Sequence, residues 1–217
     1  MKPKICAVIT TPDESAVAAN GILADLFEVR IDLIGKRWQP LAGKLTRPWI
    51  ATNRLPTEGG KWQGSEKARL EELLKAIELG ASIIDLELAT PNLIKIVQTV
   101  KDKARCIISH HDFKGTPSLD ELKEIVLSQI AAGADICKLV TTATSNDDNL
   151  RLLRLYREFA GHELVAFAMG EAGILSRVLA PLAGAEFTYA SLETGKPSAP
   201  GQMTVTQMAE IYGLLKL

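Results

Sequence analysis

The residues with chemistry to offer sit in two short apolar runs. Cys106-Ile107-Ile108-Ser109-His110-His111-Asp112-Phe113 ends a strand-like stretch in a histidine, and Ala134-Asp135-Ile136-Cys137-Lys138-Leu139-Val140 carries a lysine inside one. Taking an ammonium out of water disfavours its charged form, so a lysine in such a run is a candidate amine nucleophile toward a carbonyl carbon. His111 would be its proton-transfer partner, since imidazole titrates near neutrality. The plainer readings are a solvated strand-end lysine and a hydrogen-bonded structural histidine. His110 adjoins His111 but points to the opposite face of a strand, so the two cannot share a metal without distorting it, and no metal-binding cluster is apparent.

Other charges are gathered by strand parity. Over 26–32, Phe27, Val29 and Ile31 share one face while Glu28, Arg30 and Asp32 share the other, and Asp85 and Glu87 likewise oppose Leu86 and Leu88. A strand buried on both faces reads as almost wholly apolar, so here one face goes to helices and the other to a polar barrel mouth. Glu28 and Arg30 read as a barrel-interior ion pair or, with Arg54, Asp85 and Glu87, as the surroundings of a polar ligand. Arg54-Leu55-Pro56-Thr57-Glu58-Gly59-Gly60 follows a strand end, as a plain loop or as part of the site. Arg177 has Gly173 and Pro181 at its helical pairing positions, so it is either solvated or a cation for an anionic ligand. The tract from Gly195 to Gln202 is an inert connection or a lid over the site.

These residues need a scaffold that brings strand ends together. Strand-type runs at 4–10, 26–32, 48–53, 83–88, 106–111, 136–141, 164–168 and 186–189 alternate with helical stretches at 12–23, 38–45, 65–79, 91–103, 118–132, 146–159, 173–183 and 204–215. Ser118-Leu119-Asp120-Glu121 is a capping box, and Gly80 and Gly133 are helix stops. The count is the one that closes an α/β (β/α)8 TIM barrel. An open doubly wound sheet is the alternative, but no glycine-rich fingerprint follows the first strand.

The chain has 217 residues, enough for one substantial core, and the expected organisation is a single barrel domain over 1–217. Apolar residues are 47% and charged residues 24%, as in an ordinary globular protein. A net charge of -1 argues against a nucleic-acid partner. No apolar run approaches the roughly 20 residues that span a bilayer, and the N-terminus is strand-like rather than a leader, so no membrane partner and a cytoplasmic setting are expected. Cys6, Cys106 and Cys137 all fall in apolar runs, which suits reduced packed thiols better than a disulfide.

Taken in order, Phe27-Glu28-Val29-Arg30-Ile31-Asp32, Arg54 with Glu58-Gly59-Gly60, Ile84-Asp85-Leu86-Glu87, Ser109-His110-His111-Asp112-Phe113, Asp135-Ile136-Cys137-Lys138, Ser176-Arg177 and Ser198-Ala199-Pro200-Gly201-Gln202 give the chain a specific resemblance. It resembles the type I 3-dehydroquinate dehydratases, Schiff-base enzymes of the shikimate pathway, over essentially its whole length. The resemblance implies that Lys138 forms the imine, that His111 is the general acid/base and that Glu58 orients it. It further implies that Arg177 binds the substrate carboxylate and that Glu28, Arg30, Arg54, Ser198 and Gln202 bind hydroxyls and shape the pocket. It implies a small-molecule substrate, 3-dehydroquinate, no metal or organic cofactor, and a homodimer. His110 and Thr141-Thr142-Ala143 depart from the residues frequent in that family, away from the reacting groups.

Two other functions compete. A Schiff-base aldolase acting on a sugar phosphate would use the same lysine, with Met169-Gly170-Glu171-Ala172-Gly173 presenting backbone amides to phosphate. A barrel kept only as a metabolite-binding regulator would be expected to have lost the lysine or the histidine.

Overall fold

Apolar runs punctuated by Gly, Pro and Asx residues become parallel strands: β1 (Ile5–Ile9), β2 (Leu26–Arg30), β3 (Trp49–Thr52), β4 (Ile83–Glu87), β5 (Arg105–His111), β6 (Ile136–Thr142), β7 (Leu164–Met169) and β8 (Thr188–Ser191). The computed structural model describes residues 2–192 and 199–216. Between the strands run α1 (Glu14–Asn20), α2 (Ile31–Ile34), α3 (Trp38–Ala42), α4 (Glu66–Glu78), α5 (Leu93–Val100), α6 (Leu119–Ala131), α7 (Asn146–Glu158), α8 (Ile174–Ala183) and α9 (Val205–Leu214). The strands form one 8-stranded sheet in the order β7-β6-β5-β4-β3-β2-β1-β8, a nearly closed barrel with its helices outside. Among the described residues no helix is long and apolar enough to cross a membrane.

Most boundaries fall where the sequence puts them, and the capping box at Ser118 and Glu121 is formed. Two strands differ. β2 stops at Arg30 instead of running to Asp32, because the backbone turns into α2 at Ile31, which folds Asp32 back over Arg30. β8 spans Thr188–Ser191, two residues later than expected, since it is set by pairing with β1, where Ile5 lies beside Thr188 and Val8 beside Ser191.

Register fixes the chemistry. Thr52 lies beside Asp85, Glu87 beside Ser109, and Ser109 beside Lys138, so alternate residues of β3 to β6 turn one polar layer inward. Beneath it, Cys6, Ile50, Ile83, Ile107, Ile136 and Val165 fill the barrel interior. The opposite strand faces pack on the helices, with Trp38, Leu73, Val97, Leu122 and Leu152 among the buried helical residues.

Within the described residues β7 and β8 form no ladder, so the barrel has a seam there. Along β7, alternate residues present their amide and carbonyl toward that seam, and buried polar groups must be satisfied. Leu164 O accepts from Glu186 N at 3.1 Å. The Tyr156 hydroxyl of α7 donates to Ala166 O at 2.7 Å and accepts from Ala166 N at 2.6 Å, and Ser176 Oγ of α8 accepts from Ala168 N at 2.9 Å. Helix side chains thus stand in for the missing strand.

One consequence is measurable. Tyr156→Phe leaves both backbone groups of Ala166 unpaired in a buried site, so urea unfolding should show a loss of about 2 kcal/mol with an unchanged slope. A variant as stable as the parent would show that the seam does not depend on this hydroxyl.

Candidate active site

Lys138 points into the mouth of the barrel with 4% of its surface exposed. Although its strand is apolar, its ammonium meets carboxylates: Nζ lies 2.9 Å from Asp85 Oδ2 and 3.5 Å from Glu28 Oε1, and over the Tyr189 ring at 4.4 Å from the centroid. The expectation drawn from apolar neighbours is corrected on this point, because strand parity places Lys138 on the charged face. Asp85 also accepts from Arg54 at 2.5 Å and from Ser109 Oγ at 2.6 Å. Burial would raise the Asp85 carboxyl, but Arg54, Lys138 and these hydrogen bonds overcome it and hold the group well below the usual carboxylate range.

A second layer supports the first. Glu87 Oε1 takes the Leu55 amide at 3.1 Å and lies 3.5 Å from Arg54, while its Oε2 takes Arg69 at 2.5 Å. Arg69, on α4 and wholly buried, also donates to Asn53 O and Thr90 Oγ1 and pairs with Glu66. The backbone leaving β3 is thereby fixed from Asn53 to Leu55 before it turns toward Glu58.

That turn needs its two glycines. Gly59 sits at φ 79 with the Phe113 ring 2.6 Å from where a Cβ would be, and a Cβ on Gly60 would lie 2.0 Å from Arg54 O. The turn brings Glu58 Oε2 to 2.8 Å from His111 Nδ1. Nδ1 being engaged, Nε2 is the ring nitrogen left for the pocket. Burial raises the Glu58 carboxyl to about 7, against Arg54 and with Glu87 and Asp85. Burial, together with the cations Arg54 and Lys138, holds His111 well below its ordinary value. Both members are pushed toward their neutral forms and share one proton.

Arg177 lies across the pocket with 2% exposure, its guanidinium carbon 4.4 Å above the centre of the Phe167 ring. Ser176 explains its placement. This hydroxyl donates to Gly173 O at 2.8 Å while accepting from β7, and Ser176 N donates to Asn149 Oδ1 at 2.9 Å, which pins the first turn of α8. Among the described residues Nε and one terminal nitrogen of Arg177 have no hydrogen-bond partner, and burial lowers the group to about 10.

Glu28, Arg30, Arg54, Glu58, His111, Lys138, Arg177 and Gln202 all line one pocket, whose walls include Phe113, Phe167, Met169, Tyr189 and Ala199. Ser198 lies outside the described residues, as does the rest of the tract from 195 to 198. Glu28 and Arg30 do not pair with each other. Arg30 holds Asp32 through two bonds at 2.9 and 2.8 Å, and Glu28 accepts from Thr52 Oγ1 at 2.8 Å. His110 is half-buried outside this lining, and His162 is exposed between α7 and β7. Of the amides that a phosphate would use, two are already taken: Gly170 N bonds Pro200 O and Gly173 N bonds Gly170 O. Asp85 and Glu87 were legible as charged residues but not as the counter-charge of Lys138 and the anchor of Arg69. Arg69 itself, flanked by Glu66 and Glu72 at helical spacing, reads as surface. Tyr189 and Phe167 carry only the signal of strand-end parity.

A nearly closed parallel barrel with a buried strand lysine, a carboxylate-bound histidine and an unpaired arginine gathered at one mouth is the framework of a TIM-barrel enzyme. The family model described as type I 3-dehydroquinase matches residues 5–217. The chain is 46% identical over 210 residues to a 3-dehydroquinate dehydratase of Dehalococcoides mccartyi, covering 97% of this chain and 95% of that one. It is 36% identical over 227 residues to that of Methanosarcina mazei, covering 98% and 94%. The solved 3-dehydroquinate dehydratase of Aquifex aeolicus superposes with a TM-score of 0.78 at 28% identity, covering 97% and 98%. The chain belongs to the type I 3-dehydroquinase family.

The Glu58–His111 pair makes a signed prediction. A carboxyl raised from 4.5 to about 7 contributes stability that is full below 4.5 and lost as pH rises to about 7. A histidine lowered from 6.5 contributes stability that is full above 6.5 and lost as pH falls. Between those values the pair holds one proton folded or unfolded, and the two slopes oppose. Glu58→Gln removes the carboxyl part, so the variant should lose stability relative to the parent as pH is lowered from about 7 to about 5. Parallel pH profiles in urea unfolding would contradict the shared proton.

Proposed function

We propose that the protein dehydrates 3-dehydroquinate to 3-dehydroshikimate, with Lys138 forming an imine and His111 moving the protons. The observation that carries this reading is Arg177, a buried cation with unpaired nitrogens in the same pocket as Lys138 and His111. A buried charge without a partner is costly, and a ligand carboxylate supplies one. The substrate has both a carboxylate for Arg177 and a ketone for Lys138.

Lys138 passes a proton to Glu28, at 3.5 Å, while Asp85 stays as the fixed counter-charge. The amine adds to the C3 ketone, and loss of water from the carbinolamine gives a protonated imine that draws electrons from C2. His111 takes the C2 proton to form an enamine and then gives a proton to the C1 hydroxyl as it leaves. Hydrolysis of the product imine frees the lysine. Glu58 holds the ring by Nδ1 through both transfers, and a placed acid/base of this kind contributes about 10²- to 10⁴-fold. Arg30, Arg54 and Gln202 bind and shape around the substrate hydroxyls. Ser198 joins them on the strength of its motif. The steps call on no metal or organic cofactor. The family resemblance supports a cytoplasmic homodimer whose single domain spans the chain.

Turnover of 3-dehydroquinate, followed by the ultraviolet absorbance of the conjugated product, tests the assignment. Lys138→Ala should abolish turnover, and His111→Ala should lower it by about 10²-fold or more while still allowing slow covalent capture. Arg177→Ala should raise KM about 10- to 150-fold, the range of a charge-assisted bond to a carboxylate. An active Lys138→Ala enzyme would sink the imine, and an unchanged KM would move the carboxylate site to Arg30 or Arg54.

A further inference from the structure

Tyr189 has a polar atom that nothing so far uses. The side chain is 4% exposed, lines the pocket, and carries a hydroxyl with no hydrogen-bond partner among the described residues. Buried tyrosine hydroxyls ordinarily find a partner, and leaving one unpaired costs stability. No bond of its own positions it. Instead, the Phe187 ring meets Tyr189 edge-on at 5.3 Å and the Phe167 ring lies tilted at 6.0 Å. The ring is also the surface on which Lys138 rests, with Nζ 4.4 Å from its centroid. A nitrogen above a phenol face stands beyond hydrogen-bonding reach of that phenol's hydroxyl, at a separation that one oxygen atom bridges.

We propose that Tyr189 is a further catalytic residue, donating a hydrogen bond to the substrate oxygen that Lys138 displaces. The inference rests on the imine reading above. As the lysine nitrogen bonds to the ketone carbon, the carbonyl π electrons move to that oxygen, which takes the proton that the newly bonded nitrogen gives up and becomes the carbinolamine hydroxyl. The carbon–oxygen bond then breaks as the oxygen accepts a second proton from the His111–Glu58 pair. Water leaves, and the nitrogen lone pair forms the carbon–nitrogen double bond. Tyr189 keeps its own proton throughout and only stabilises the oxygen as charge gathers on it. Burial, with Glu28 nearby, holds the phenol well above its ordinary value, so it remains a donor. The cationic imine nitrogen stays over the ring face, where the amine began.

The proposal assigns Tyr189 to imine formation, separate from the C2 proton transfer assigned to His111. Tyr189→Phe keeps the ring and removes only the unpaired hydroxyl, so its thermal midpoint should be unchanged or higher. Rapid mixing with 3-dehydroquinate, quenched by borohydride, measures how fast the reduced adduct appears on Lys138. The variant should form it about tenfold more slowly, the loss of one hydrogen bond to developing charge, with unchanged affinity for the ketone-free analogue quinate. Adduct formation at the parental rate would overturn the proposal, as would an equal loss in quinate affinity, which marks a binding role. If the parent protein gives no adduct, the imine reading falls and takes this inference with it. An adduct that forms at one rate in parent and variant removes Tyr189 alone.

Discussion

The contact between the Lys138 ammonium and Asp85, 2.9 Å apart inside a protein barrel, is the constraint on which the rest of the site depends. Two charges taken out of water are tolerated only when every remaining lone pair and proton is met. Ser109 and Arg54 meet those of Asp85, Glu87 and Ser109 meet those of Arg54, and Arg69 meets the far oxygen of Glu87. Lys138, Arg54 and Arg69 are thereby set against Asp85, Glu28 and Glu87. Arg177 stands outside this balance, which is why its free nitrogens carry the functional reading. The network also fixes the backbone on either side of it, since Glu87 holds the Leu55 amide at the start of the turn that aims Glu58 at His111.

The second organising feature is the seam. Where β8 forms no ladder with β7, Tyr156 and Ser176 take the free backbone groups, and aromatic side chains fill the inner side. Phe167, Phe187 and Tyr189 gather there, Arg177 stacks on Phe167, and Lys138 rests on Tyr189. Lys138 and Arg177 thus rest on different rings of one aromatic cluster.

Strand–helix alternation made the barrel legible in the sequence, because eight repeats of one pattern leave few ways to bury both strand faces. The inward set at Glu28, Arg30, Asp85, Lys138 and His111 was legible too, from period-two parity alone. What parity does not give is partner choice. Arg30 turns to Asp32 because β2 ends two residues earlier, a local backbone decision that an apolar-polar pattern extending to Asp32 conceals. Arg69 escapes because a fully buried arginine on an outer helix has the same sequence neighbours as a solvated one. The thiols of Cys106 and Cys137, pushed up to about 12 by burial, match the packed cysteines read from their apolar runs.

The central claim is that one ligand bridges the balanced network and the unbalanced arginine. A crystal structure of the protein reduced with borohydride in the presence of 3-dehydroquinate tests it most directly. The account predicts continuous density from Lys138 Nζ to the former C3 of the ring, with the ligand carboxylate on Arg177 and C2 within reach of His111 Nε2. An adduct on another lysine, or a carboxylate seated on Arg30 or Arg54 with Arg177 still unpaired, would contradict it.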